Sequence, residues 1–234
     1  MKAVYQMYKH GLVILLFCGL YLLLFSWLET RPVHGYHIIH TVFDDMIPFG
    51  EYFIIPYLLW FPYMILAILY FVFFNKNIHE YWQLCFNLIM GMTVFLIVSF
   101  LYPNIQLLRP AVFPRDNLFT DAVRLLYQTD TPTNILPSIH VFNSLAIHMS
   151  LSNCEALKNR RVLQNTSLIL TLLIILSTMF LKQHSVIDVC LGSTMALFGY
   201  VVLYPGREPR PAMQHGYVHS KKSSWTHIRF NHCI

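Results

Sequence analysis

Long uncharged apolar runs constrain the fold of this chain more than any other feature. The longest extends from Tyr52 to Asn75, and others cover Gly11 to Leu28 and Val162 to Leu181. A helix needs about 20 apolar residues to cross a bilayer. The pattern therefore predicts an all-α polytopic membrane protein, a bundle of six transmembrane helices. The predicted spans are residues 11–28, 52–74, 82–102, 135–153, 162–181 and 184–204.

The composition supports the same fold class. Charged residues make up 12% of the chain and hydrophobic residues 56%, whereas an average soluble domain has about 25% charged residues. This excludes a disordered chain, and it leaves too few polar groups to cover a water-soluble domain. The net charge of +5 forms no basic stripe among aromatic residues, so no nucleic-acid partner is predicted. The predicted partner is the bilayer.

The positions of Lys and Arg predict the orientation. Five of the sixteen lie in segments on the side opposite the N-terminus, and the other eleven share the side of the N-terminus. Because an excess of Lys and Arg marks the cytoplasmic side, a multi-pass protein of the cell membrane with both termini in the cytoplasm is predicted. One membrane domain is expected over 1–204, and a flexible cytoplasmic tail over 205–234. The five outer residues are Arg31, Arg109, Arg115, Arg124 and Lys182.

The longest predicted loop, residues 103–134, lies on the outer side. Part of it has helical spacing, which predicts a short helix at the membrane interface. Its apolar residues are Leu118, Ala122, Leu125 and Leu126, opposite Asp121 and Arg124. Aromatic residues near the span ends are interpreted as interfacial anchors, namely Trp27, Trp60, Trp82 and Tyr102.

Ionisable groups at membrane depth are the best candidates for chemistry, because a central Asp or Lys costs about 2.5–3.5 kcal/mol. His184 and Asp188 are four residues apart and share a helix face. A carboxylate at this spacing can accept a hydrogen bond from one ring nitrogen and leave the other as a nucleophile or base. The alternative is a His–Asp pair that merely reaches the interface.

His140 follows Pro137 and Ser138, which are typical of a helix start. A helix start with a solvated His is the alternative interpretation. The spans that begin near His140 and His184 both start on the outer side, where free N–H groups and Arg109 favour an anion such as phosphate. Two histidines beside a phosphate allow one to attack phosphorus and the other to protonate the leaving oxygen, without a metal or other cofactor.

Three elements resemble, in order, the three motifs of the type 2 phosphatidic acid phosphatase superfamily. The motifs are K-x6-R-P, P-S-G-H and S-R-x5-H-x3-D, on a six-helix bundle. Within the superfamily, the third element is most similar to the branch that contains fungal inositol-phosphorylceramide synthases, which are inositolphosphotransferases. The elements are Arg109-Pro110, Leu136-Pro137-Ser138-Ile139-His140 and His184-Ser185-Val186-Ile187-Asp188.

This resemblance implies a metal-independent lipid phosphatase or head-group phosphotransferase that forms a phosphohistidine, with a lipid phosphate or phospholipid as substrate. His184 would be the nucleophile, and Asp188 would orient it. His140 would protonate the leaving alcohol and then activate the acceptor, either water or another alcohol. Arg109 and Ser138, with backbone N–H groups near Ile139, would hold the phosphoryl oxygens.

The sequence departs from the family pattern at three positions. The family Lys falls at Tyr102, the family Arg falls at Thr178, and the Gly of the second motif is Ile139. Lys182 or Arg115 is predicted to supply a missing cation. The alternative function is a non-catalytic transporter, channel or inactive relative. The ionisable groups cluster at one end of the predicted spans, whereas a proton path would distribute them through the depth.

Three other groups of residues have simpler interpretations. Asp44 and Asp45 precede the second span, and they are interpreted as helix-start carboxylates, with contact to a head group or to Arg109 as the alternative. The His34, His37 and His40 series is interpreted as interfacial, because no carboxylate or Cys joins it at ligand spacing. The five cysteines predict neither a disulfide framework nor a zinc site. The sequence indicates no oligomeric state.

Overall fold

The computed structural model describes residues 9–205, which form a bundle of α-helices with only two short strands in this range. The predicted helical membrane bundle is confirmed. The predicted tail falls outside the described residues, apart from Pro205. The helices are α1 (Gly11–Thr30), α2 (Val42–Met46), α3 (Ile54–Leu69), α4 (Ile78–Leu101), α5 (Leu118–Thr129), α6 (Ile139–Asn153), α7 (Arg161–Phe180) and α8 (Val186–Leu203).

Within residues 9–205, five helical segments are long and apolar enough to cross a membrane. A 3-10 turn, Glu51–Phe53, precedes α3 and a π-helical turn, Tyr70–Phe74, continues it, so that these three form one segment. The five segments are Gly11–Thr30, Glu51–Phe74, Ile78–Leu101, Arg161–Phe180 and Val186–Leu203.

The predicted fourth span is a shorter helix than the sequence suggested. It begins at Ile139, not at residue 135, because Ser138 caps its first turn in an extended conformation after Pro137. Its 15 residues extend about 22 Å, less than the ~30 Å core of a bilayer. The predicted count of six spans is therefore not confirmed.

Helix α6 lies at the centre of the bundle and packs against α3, α4, α7 and α8. Two glycines allow this close packing. A Cβ at Gly91 of α4 would lie 1.9 Å from the Phe142 ring, and one at Gly192 of α8 would lie 2.7 Å from the Ser138 carbonyl oxygen. The second glycine brings the start of α8 against the start of α6.

The same end of the bundle holds the ends of α1, α4 and α7 and the starts of α3, α6 and α8; we call it the histidine end. Backbone contacts fix these helix ends together. The Gly50 N–H donates to the Phe180 carbonyl at 3.0 Å, and the Ser138 N–H donates to the Asp188 carbonyl at 3.2 Å. Two parallel strands, β1 (His37–Ile38) and β2 (Asn104–Ile105), also pair here.

The helix predicted in the loop after α4 is present as α5. Its Val123 and Leu126 are buried against the bundle, whereas Leu118 and Leu125 are exposed. An amphipathic helix that leaves large apolar side chains exposed is suited to the membrane interface.

Candidate active site

A tight turn between α7 and α8 positions His184. The Thr178 carbonyl accepts hydrogen bonds from the N–H groups of Gln183 at 2.9 Å and His184 at 3.0 Å. Lys182 adopts a left-handed backbone conformation, with φ of 54°, which is uncommon for a residue with a side chain. The turn therefore fixes the direction in which the chain enters α8.

His184 and Asp188 form the contact that their spacing predicts. The His184 Nδ1 lies 3.4 Å from the Asp188 Oδ2, and both side chains are buried. The same Oδ2 accepts the Ser185 N–H at 2.9 Å and closes a capping box at the start of α8. Asp188 is therefore held in place by the helix start, and it can fix the tautomer of the imidazole.

His140 faces His184 from the second residue of α6. Their ring centroids are 5.6 Å apart, at an interplanar angle of 60°. The His140 ring also contacts Trp60 at 4.4 Å and Tyr57 at 4.8 Å, measured between centroids. These two aromatic rings limit how far His140 can move away from His184.

The two histidines line a cavity of about 40 Å³, which we call the histidine cavity. A water molecule needs roughly 10–15 Å³ by this measure, so the cavity has room for about three. No Lys or Arg occurs among the described residues that line it. Its remaining wall residues are Phe25, Phe95, Asp130, Thr131, Thr133, Asn134, Ile135, Ile139 and Gln183.

Arg109 lies behind this wall and does not line the cavity. Its Nη2 donates to the Asp130 carbonyl and to the Gln183 Oε1, both at 2.5 Å, and its Nη1 donates to the Tyr127 carbonyl at 3.1 Å. Burial lowers the pKa of the guanidinium, although an Arg remains protonated. Arg109 thus holds two wall residues in place, one of which precedes His184.

Lys182, predicted to bind phosphate, points elsewhere. Its Nζ donates to the Asp44 carbonyl at 2.7 Å and to the Ile47 carbonyl. Burial lowers the pKa of this ammonium, and the Asp44 and Asp45 carboxylates oppose the shift. Arg115 donates instead to the buried Glu51 carboxylate at 2.8 Å. Carbonyl and carboxylate oxygens of the protein hold both side chains, and neither residue lines the histidine cavity. Their predicted role as substitutes for the missing family cations stays a prediction.

The start of α6 provides the other predicted phosphate contacts. Ser138 is fully buried, and its Oγ accepts the Val141 N–H at 3.4 Å. Ile139 lines the cavity. The N–H groups of Ile139 and His140 belong to the first turn of α6, where a helix has no partners of its own for them. These N–H groups can bind an anion at the cavity.

The positions of the missing family cations have other uses. The Tyr102 ring stacks on the His37 ring, with centroids 4.0 Å apart. Thr178 is buried, and its backbone carbonyl holds the turn before His184.

Asp44 has a role at the site beyond the helix-start carboxylate that the sequence favoured. It does accept the Thr41 N–H of its own short helix at 2.7 Å. It also accepts the Ser185 hydroxyl at 2.7 Å and the Val186 N–H at 2.8 Å. Asp44 therefore anchors the first turn of α8 beside His184, and none of its hydrogen bonds in the described part of the chain involves Arg109.

Replacing Asp44 with asparagine is expected to lower kcat about 10- to 100-fold, because hydrogen bonds to a charged acceptor are worth about 1.5–3 kcal/mol. The amide keeps one acceptor oxygen but loses the charge that orders the start of α8. Steady-state kinetics and melting temperature measured on the same preparation separate this effect from unfolding. The matched control is Asp45→Asn, since Asp45 is exposed and pairs with His40. Equal losses in both variants would contradict the anchoring role.

Other residues that shape the cavity were also missed. Trp60, interpreted as an interfacial anchor, packs on His140 instead. The Tyr57 hydroxyl donates to the Asp130 Oδ2 at 2.7 Å. Asn104 accepts the N–H groups of Ile135 at 2.8 Å and Leu136 at 3.0 Å, and so pins the segment before α6. The spacing of Tyr57 and Trp60 on one helix face was the only sequence signal for any of these contacts.

Comparison with known proteins identifies the family of this chain. A family model described as the PAP2 superfamily matches residues 80–211, a range that includes Arg109, both histidines and Asp188. No curated protein and no solved structure matches the chain. Because the family model covers more than half of the sequence, the chain belongs to the PAP2 superfamily.

Proposed function

We propose that this protein is an integral-membrane enzyme that cleaves or transfers a phosphoryl-type group on a lipid through a phosphohistidine at His184. Membership of the PAP2 superfamily supports a phosphatase-type, lipid-related function. The observation that carries the proposal is the pair of facing imidazole rings, 5.6 Å apart at one cavity, with Asp188 at the Nδ1 of one of them.

In the first step, Asp188 accepts the Nδ1–H of His184 and leaves the Nε2 lone pair free. The Nε2 attacks phosphorus, an N–P bond forms, and the P–O bond to the leaving alcohol breaks. His140, in its imidazolium form, donates a proton to that oxygen and becomes neutral. In the second step, neutral His140 takes a proton from water or an alcohol, whose oxygen attacks phosphorus and displaces His184. The cycle restores both histidines.

The cavity suits a phosphate of low charge. A phosphate monoester carries about −1.5 to −2 at neutral pH, whereas a phosphodiester carries a single charge. The helix starts at Ile139 and Val186 attract an anion, but no Lys or Arg is among the described wall residues. This supports a phosphodiester substrate, of the kind used for head-group transfer in the inositol-phosphorylceramide-synthase branch, with water or an alcohol as the acceptor.

The histidine end is proposed to face the extracytoplasmic side of the cell membrane, with both termini in the cytoplasm. The distribution of Lys and Arg supports this orientation. Five cations lie at the histidine end, against the general distribution. Each donates a hydrogen bond to a carbonyl or carboxylate oxygen of the protein, which accounts for its position at this end. They are Arg31, Arg109, Arg115, Arg124 and Lys182.

The test uses the full-length protein purified in detergent with a chelator. Phosphatidylinositol and phosphatidylethanolamine are offered beside phosphatidic acid, each with and without ceramide or diacylglycerol as acceptor. Released phosphate and transferred head groups are quantified by mass spectrometry. We expect turnover in the presence of the chelator, faster with the phosphodiesters. The absence of turnover on every lipid, or a strict requirement for a divalent metal, would overturn the proposal.

A further inference from the structure

An apolar groove runs between α1 and α4 at the histidine end, and we call it the outer groove. Its volume is about 320 Å³, within the range of ligand sites, roughly 300–1,000 Å³. We infer that it binds one acyl chain of the lipid substrate, an inference that rests on the proposed function. Its walls include Leu24, Trp27 and Leu28 of α1 and Thr93, Ile97 and Leu101 of α4.

The outer groove lies next to the histidine cavity, although the two have no wall residue in common. Phe25 and Phe95 line the histidine cavity, and each is the chain neighbour of a groove residue, Leu24 or Leu96. Their ring centroids are 5.9 Å apart, and they close the cavity on the side of α1 and α4. A lipid whose phosphate lies between the histidines therefore has its nearest apolar surface along these two helices.

The length and polarity of the groove fit an acyl chain. From Thr93 to Leu101 the helix rises about 12 Å, close to the ~15 Å depth of one hydrocarbon leaflet. The guanidinium of Arg31 marks the polar end of the groove. Its Cζ lies 5.0 Å from the centroid of the Phe100 ring and 5.8 Å from the centroid of the Trp27 ring. A chain that begins at this level would run along α4 towards the middle of the bilayer.

A second apolar groove provides an internal comparison. It lies between α1 and α3 at the opposite end of the bundle, with a volume of about 480 Å³, and Leu15 and Val72 are among its lining residues. Unlike Leu24 and Leu96 of the outer groove, none of its lining residues is a chain neighbour of a residue that lines the histidine cavity. The outer groove is thus distinguished by its position and not by its size.

The kinetic test compares two variants that each fill one groove, Thr93→Trp for the outer groove and Leu15→Trp for the second. For a phospholipid with sixteen-carbon chains, we expect Thr93→Trp to raise KM about tenfold or more, the loss expected when about two methylene groups lose their contacts. We expect Leu15→Trp to change KM less than twofold. With dihexanoyl chains both variants should match the wild type. Equal effects of both variants, or an equal effect of Thr93→Trp at both chain lengths, would overturn the inference.

A binding test is independent of turnover. A phosphatidylethanolamine with a diazirine in its acyl chain is photolysed in proteoliposomes, and the labelled peptides are mapped by mass spectrometry. We expect label enriched at Leu24–Leu28 and Thr93–Leu101, lost in Thr93→Trp and retained in Leu15→Trp. Label spread evenly over lipid-facing residues such as Leu172 would contradict acyl-chain binding in the outer groove, even if the enzyme is active. Enriched label in a protein without turnover would overturn the proposed function and keep the groove as a lipid site.

Discussion

Replacing His184 with alanine is expected to lower kcat on the best phospholipid substrate by on the order of 10⁴- to 10⁶-fold, because the group that attacks phosphorus is lost. The ring is buried between Asp188 and His140, and His140 already serves as the acid and base in the proposed mechanism. The wild type is mixed with a phospholipid that carries a labelled head group, and the reaction is quenched rapidly without acid. This should trap an acid-labile phosphoprotein. The variant should give none.

The matched control is His148→Ala. His148 lies on the same helix as His140, its Nδ1 is 3.0 Å from the Ser167 hydroxyl, and it does not line the histidine cavity. We expect this variant to keep kcat within about threefold, the modest effect typical of losing one hydrogen bond, after correction for the folded fraction. Turnover that persists unchanged in His184→Ala would rule out the phosphohistidine mechanism.

The local parts of this structure could be predicted from the sequence. One continuous apolar run is enough to predict a membrane helix. The contact of His184 with Asp188 follows from helical spacing alone. Helix α6 shows the limit of this reasoning. The hydropathy of residues 135–138 placed them within a span, but they form an extended segment that ends at Ser138, the cap of α6. The helix itself is surrounded by other helices and not by lipid.

The partners of the charged residues could not be predicted, because they lie far away in the chain. Lys182 is close to the motif in sequence, yet its ammonium binds carbonyl oxygens of Asp44 and Ile47. Arg109 stands at the predicted position but holds Gln183 and Asp130. Proximity in sequence to a motif indicates which end of the bundle a residue occupies. It does not indicate which way a long side chain points.

Replacing His140 with alanine is expected to have an effect that depends on the leaving group. For a phospholipid, whose leaving alcohol needs a proton, kcat should fall about 10²- to 10⁴-fold, the usual contribution of a general acid–base group. For p-nitrophenyl dodecyl phosphate the leaving phenolate needs no proton, so attack by His184 should remain fast. The second step still needs His140 as the base. The variant should therefore release a burst of p-nitrophenol equal to the enzyme concentration, followed by slow turnover.

Stopped-flow absorbance measures this burst, and Trp60→Phe is the control because it keeps an aromatic ring beside His140 and leaves both histidines in place. That variant should show no burst beyond that of the wild type. An equal loss of His140→Ala on both substrates, without a burst, would mean that the ring contributes only packing between Tyr57 and Trp60. A burst would instead assign proton transfer to His140, because packing alone cannot separate the two chemical steps.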